Sequence, residues 1–212
     1  MKGIKYDKGF YLNDTIKTAK KLLGSKLCTN INNEYISGKI VEVEAYLGEA
    51  DKGSHAYGGR RTNRTDIMYR QGGISYIYLI YGLYSLFNVV TRENGIPHAI
   101  LIRALEPVNG IKIMKESRKT DDILNLTSGP GKLCSALNIT REQNGVDLTG
   151  DTIWIEKPEK RIPENKIISA KRIGIDYAEE YKEKLWRFYI KENLHVSKRL
   201  AEDSIVDDQE IS

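Results

Sequence analysis

The chain has 212 residues, 40% hydrophobic and 29% charged, which suits one soluble domain with a real core and leaves no apolar run near the ~18 residues of a membrane span. Its formal net charge is +4, but Glu202, Asp203, Asp207, Asp208 and Glu210 lie in a final stretch without Lys or Arg; setting those five negative charges aside leaves +9 for residues 1–201. A basic body fits a polyanionic partner such as nucleic acid, although many basic proteins bind none. The start, MKGIKYDKGFYLND, has basic residues but no apolar signal-peptide core, so the expected compartment is the cytoplasm. Cys28 and Cys134 lie far apart, and His55, His98 and His195 share no metal-ligand spacing. This spacing argues against a disulfide scaffold and a zinc site, and chemistry without metal or cofactor is expected.

In chain order, Asn13-Asp14-Thr15 reads as a helix start, followed by apolar spacing over Thr15–Leu23 and a stop at Gly24. KIVEVEAYL over Lys39–Leu47 alternates as a strand, with Val41, Val43, Ala45 and Leu47 on one face. Ile40, Glu42, Glu44 and Tyr46 fall on the other. Gly48–Gly73 is polar and aperiodic, and loops of that length in compact domains are usually functional. Ile74–Ile80 and Leu83–Thr91 predict two strands joined by a tight turn at Tyr81-Gly82. Ala99–Ala104 predicts a strand and Val108–Glu116 a short helix. SGPGKLCSALNI reads as a turn leading to a helix at Lys132, and Thr152–Glu156 and Leu185–Ile190 as further strands. Strands outnumber helices and lack regular helical crossovers, which predicts an α+β domain around a curved, mostly antiparallel sheet. Residues 1–201 are expected to form this single domain, and 202–212 a solvated, disordered acidic tail.

Glu44 beside Tyr46 is a plausible general base next to a flat substrate; the same pattern also describes an exposed acidic strand face. Residues 75–84, SYIYLIYGLY, place Tyr76 and Tyr78 on one strand face and Tyr81 at the hairpin tip. An aromatic on a protruding turn suits a base-displacing wedge, and aromatic walls suit an extruded base, whereas a tyrosine-rich core is equally ordinary for the others. In GGRRTNRTDIMYR, Arg60, Arg61, Arg64 and Arg70 oppose a single Asp66; phosphate contacts and a solvated charged loop both fit. SGPGK at 128–132 lacks the full phosphate-loop pattern of nucleotide hydrolases. It either presents Lys132 and backbone N–H groups to a phosphate or simply begins a helix.

These segments, in this order, resemble the alkyladenine (3-methyladenine) DNA glycosylase family. The resemblance is carried by VEVEAYLGEADKGSHAYGGRRT, GISYIYLIYGLYSLFNVV, ILIRALEP, LTSGPGKLCSAL and, more weakly, RIGIDY and WRFYI, spanning roughly residues 10–197. It implies one domain with a curved antiparallel sheet, flanking helices and a protruding β-hairpin, and no metal. It implies that Glu44 is the general base that activates water and that Arg103 helps hold that water. Tyr46, His55 and Tyr78 would sandwich and hydrogen-bond a flipped base, Asn88 would face its minor-groove edge, and Tyr81 would fill the vacated stack.

The function expected is that of a monofunctional DNA glycosylase of base excision repair. It would act as a cytoplasmic monomer, with no membrane partner, on double-stranded DNA containing an alkylated or deaminated purine, and leave an abasic site. Arg60, Arg61, Arg64 and Lys132 are the expected backbone contacts. Two other classes remain open: a non-catalytic nucleic-acid module on the same fold, which would need no carboxylate at its pocket, and an RNA-directed enzyme or tRNA-binding domain.

Overall fold

The structure, a computed structural model, describes residues 3–201. The acidic segment 202–212 lies outside the described residues. Asp7 caps a single helical turn, α1 (Lys8–Tyr11), and the Asp14 carboxylate accepts from Lys17 N at 2.9 Å to start α2 (Thr15–Leu22). Thr15, Thr18, Ala19 and Leu22 form the buried stripe of α2, and Gly24 follows at φ +83°. Strand β1 (Lys26–Ile31) turns at Asn32-Asn33, both left-handed, into the long β2 (Glu34–Tyr46). Sequence reasoning missed β1, and began β2 five residues late.

Three 3₁₀ turns without other regular structure fill the loop after β2, at Gly48–Ala50, Tyr57–Gly59 and Asp66–Tyr69. The predicted hairpin is β3 (Ser75–Ile80) and β4 (Tyr84–Thr91), followed by β5 (His98–Asn109). The helix expected over Val108–Glu116 is α3 (Ile111–Arg118): Val108 and Asn109 still belong to β5, and the chain breaks direction at Gly110, φ +77°. Helix α4 (Pro130–Ala136) begins two residues before Lys132, with Pro130 in its first turn, where a missing N–H costs nothing. Short strands β6 (Ile153–Glu156), β7 (Ile167–Ala170) and β8 (Arg187–Ile190) complete the sheet.

All pairings are antiparallel, in the order β3-β4-β5-β2-β1-β6, with β8 joining β2 and β7 joining β8. This curved sheet with a few helices is the α+β single domain expected. One edge of β2 pairs with β5 along nearly its whole length; the other is shared by β1 at Glu34–Lys39 and β8 at Glu42–Glu44. The sheet forks at register irregularities between Ile40 and Val43, and bulges bend and twist strands in this way. The fork also corrects the simple alternation: Ile40 joins Val43 and Ala45 in the main core, while Val41 packs with Tyr189 in a smaller cluster. Helices α2, α3 and α4 contribute Leu22, Met114 and Leu133 to that main core, with Phe87, Ile102 and Phe188 from the strands. A second cluster of Ile67, Met68, Tyr69, Tyr76 and Val90 anchors the loop 48–73 against β3 and β4. No helix among the described residues is long and apolar enough to cross a membrane.

Candidate active site

The half of β2 beyond the fork carries two fully enclosed carboxylates. Glu42 and Glu44 each have 0% exposure, so Glu44 does not lie on an exposed acidic face. A buried carboxylate persists only when paired and hydrogen-bonded. Glu44 Oε2 accepts the Tyr46 hydroxyl at 2.8 Å, and Oε1 accepts Ile173 N at 2.8 Å with Arg103 Nη1 3.3 Å away. Burial first, and then the Glu44 charge, hold the Tyr46 phenol well above its ordinary pKa, so it remains a donor. Glu42 accepts from Arg103 Nε at 3.0 Å, Arg187 Nη1 at 3.1 Å and Ser197 N at 2.7 Å. Burial works against the charge of Arg103, but the two carboxylates more than restore it.

Three partners of Glu44, namely Tyr46, Arg103 and Ile173, line a cavity of about 380 Å³, and Glu44 stands directly behind them. That volume is ordinary for a small-molecule pocket. Its aromatic wall comes from the polar loop and β3. His55 meets Tyr78 edge-on with ring centroids 4.6 Å apart, and His55 Nδ1 lies 2.9 Å from the Tyr76 hydroxyl. On the other side of the ring, Arg64 Nη2 donates to His55 Nε2 at 3.1 Å. Since arginine only donates, Nε2 is the acceptor and Nδ1–H donates to Tyr76. Burial, then Arg64 and Arg60, push the His55 pKa down to about 4, so the ring is a neutral imidazole at physiological pH.

Asn88 lines the same cavity; its Nδ2 donates to the Tyr76 carbonyl at 3.1 Å and the Leu86 carbonyl at 3.3 Å, which fixes the amide. Opposite Tyr76 in the ladder, Asn88 faces Leu101 on its other side, two residues before Arg103. The antiparallel register thus gathers Tyr46, Tyr78, Asn88 and Arg103 around one cavity, with Glu44 behind, and the loop 48–73 brings His55 to it. Tyr81 stands apart at the hairpin tip, 86% exposed, with Leu83 also exposed beside it. Tyr81 (φ +52°) and Gly82 (φ +69°) are both left-handed, and Leu83 N donates to Ile80 O at 3.1 Å, the pattern of a type I′ turn.

The basic residues divide. Arg64 lies on the cavity rim, 4.7 Å over the Tyr78 ring. Arg61 pairs with Asp66 at 2.9 Å and covers Tyr69, while Arg60 is exposed and forms no ion pair among the described residues. Lys132 is not on the cavity; its ammonium donates to Asn125 Oδ1. Among the described residues, no three His, Cys, Asp or Glu side chains converge as a metal-ligand set. Sequence reasoning missed Glu42, Tyr76, Ile173 and Arg187 as parts of the site. RIGIDY held the one usable signal, a glycine (Gly174) that lines the cavity at φ +77°, a backbone conformation that favours glycine.

The profile of the methylpurine-DNA glycosylase family matches residues 9–194. Similar curated proteins carry the name "Putative 3-methyladenine DNA glycosylase". That of Clostridium acetobutylicum is 54% identical over 196 residues, covering 89% of this chain and 95% of the relative. Those of Bacillus cytotoxicus and Clostridium novyi are 52% and 48% identical, covering 97% and 96% of their own lengths and 89% and 90% of this chain.

Proposed function

The chain belongs to the methylpurine-DNA glycosylase family and is a DNA glycosylase of base excision repair; we propose that it rotates an alkylated or deaminated purine out of duplex DNA into the cavity between Tyr46 and the His55–Tyr78 wall. There Glu44 takes a proton from the water that attacks C1′ of the sugar. The C1′–N bond breaks as the C1′–O bond forms, and the base leaves with the bonding electron pair. Extrusion is needed because the target bond is shielded in the stacked duplex, and its cost of a few kcal/mol is smallest at weakened pairs. A purine alkylated at N3 or N7 already carries positive charge and leaves as a neutral base. Hypoxanthine needs protonation or a hydrogen bond to its leaving nitrogen.

The observation that carries this reading is the burial of Glu44 among three residues of an aromatic cavity, with Tyr46 and Arg103 on its two oxygens. Each carboxylate oxygen has two lone pairs, so Oε2 retains one for a water. A carboxylate there can both orient that water and offset the positive charge of an oxocarbenium-like transition state. Tyr81 enters the vacated stack, and Arg60, Arg61, Arg64 and Lys132 meet phosphates. Residues 1–201 are the working unit, acting as a cytoplasmic monomer.

Matched DNA and RNA duplexes containing hypoxanthine or a methylated purine test the reading. Wild-type protein should convert the DNA strand to an alkali-cleavable abasic site without added metal, and Glu44→Gln should not. Equal excision by Glu44→Gln, or excision from RNA alone, would overturn it.

A further inference from the structure

A second buried ion pair stands behind the cavity. Arg172 and Asp51, both with 0% side-chain exposure, meet as a fork, Nη1 to Oδ2 at 2.6 Å and Nη2 to Oδ1 at 2.7 Å. The guanidinium carbon lies 4.7 Å from the Tyr46 ring centroid and 5.0 Å from that of Trp186. Nη1 also donates to the Ala45 carbonyl at 3.0 Å, between Glu44 and Tyr46. Asp51 in turn accepts Leu47 N at 3.0 Å and Gly53 N at 2.9 Å. The loop closes so tightly here that a Cβ built on Gly53 would fall 2.9 Å from Arg172 Nη2. One residue beyond Arg172, Ile173 N donates to Glu44 at 2.8 Å.

One guanidinium therefore touches every part that must keep register: the strand between Glu44 and Tyr46, a face of the Tyr46 ring, and the loop that carries His55. It also begins the segment whose N–H holds Glu44. Stability alone is a poor account, because a buried ion pair gains little over apolar packing. What the forked and stacked guanidinium supplies is direction, which a point-charge ammonium cannot reproduce.

We propose that Arg172 is a positioning residue of the excision reaction, setting the Tyr46 ring and the Glu44 carboxylate in fixed relation through Ala45 O and Ile173 N. This rests on the reading that Glu44 activates the water and Tyr46 stacks on the base. The arrangement acts on the chemical step, since the hairpin tip and the Arg61–Asp66 and Arg64–Tyr78 contacts do not involve Asp51 or Arg172.

Two variants test it: Arg172→Lys, which leaves a cation for Asp51, and Asp51→Asn with Arg172→Gln, which removes both charges together. Single-turnover excision at saturating protein, the dissociation constant for lesion duplex and the melting temperature are measured well below either variant's melting point. Each variant should excise about ten- to a hundredfold more slowly, the scale of a misplaced reacting group, with duplex affinity within about twofold of wild type. A lowered melting temperature with wild-type single-turnover excision would overturn the proposal, as would a loss confined to affinity. If the double variant does not fold, Arg172→Lys decides by the same readouts. Glu44→Gln runs alongside. If it excises like wild type, the underlying reading falls; if it is inactive and Arg172→Lys is not impaired, only this inference falls.

Discussion

Arg103 Nη1 lies 3.3 Å from Glu44 Oε1 while Nε of the same guanidinium donates to Glu42 at 3.0 Å. One cation thus bridges two carboxylates with no exposure to solvent. Removing it leaves two buried negative charges sharing what Arg187, the Tyr46 hydroxyl and the N–H groups of Ile173 and Ser197 supply. Breaking a buried pair typically costs about 3–5 kcal/mol. Arg103→Met is expected to lose that much stability in urea unfolding as well as its excision activity. An unchanged denaturation midpoint would mean that these remaining donors compensate Glu42 and Glu44.

Tyr81 separates stability from function. A bulky side chain at φ +52° is strained, whereas Asn followed by Gly82 is the favoured pair for such a turn. Tyr81→Asn should therefore keep or raise the melting temperature. If the ring fills the vacated stack, the same variant should lose roughly 1–3 kcal/mol of stabilisation of the flipped state. Single-turnover excision from duplex, compared with single-stranded substrate, reads the difference. Equal rates on duplex DNA for the variant and wild type would remove the wedge.

The hairpin and the second half of β2 were legible because their signals are local: alternation along KIVEVEAYL and a tight turn at Tyr81-Gly82. The family resemblance then named Glu44, Tyr46, His55, Tyr78, Asn88 and Arg103; the register of β2, β3, β4 and β5 brings Tyr46, Tyr78, Asn88 and Arg103 to one cavity with Glu44 behind it, and the loop 48–73 adds His55. Glu42 was not legible as part of the site. Its partners Arg103, Arg187 and Ser197 come from three distant segments, and the fork of the sheet that buries it is a tertiary event. The strand β1 was missed because its turn is Asn-Asn, a weaker hairpin signal than Asn-Gly. The start of α3 was misplaced because the apolar Val108 extends β5 up to Gly110.

Asn88 gives up both amide hydrogens to the Tyr76 and Leu86 carbonyls, so the side chain is a rigid part of the wall. A purine carrying an amino group at C2 meets this wall if its minor-groove edge faces Asn88. Asn88→Ala opens the space and should raise excision of guanine-type lesions relative to hypoxanthine. The ratio of the two single-turnover rates measures this, and an unchanged ratio would remove the gate.

His55 carries a pH dependence whose sign is fixed by its environment. Burial, Arg64 and Arg60 lower its pKa from 6.5 to about 4. Between those values the unfolded chain binds the proton and the folded protein does not. The contribution of His55 to stability is thus complete above pH 6.5 and is lost as pH falls to about 4. Wild-type melting temperature should fall across that window, and His55→Asn should flatten the fall. Parallel curves for the two proteins would show that His55 titrates normally.

Glu44 is the residue on which the enzymatic reading rests. Its two oxygens are held by Tyr46 Oη, Ile173 N and Arg103, so glutamine in its place keeps volume and one acceptor oxygen. The amide cannot take a proton from water and carries no charge to oppose an oxocarbenium-like centre. General-base catalysis contributes about 10²–10⁴-fold, and lost electrostatic stabilisation adds to that. Binding should survive, because Tyr81 and the arginines of the loop are untouched and one negative charge near a polyanion is gone. Glu44→Gln is therefore expected to bind lesion-containing duplex at least as tightly as wild type and to excise at least about a hundredfold more slowly. Near-normal single-turnover excision would make Glu44 a structural acid and put the base elsewhere. Loss of DNA binding in a folded variant would make its role architectural.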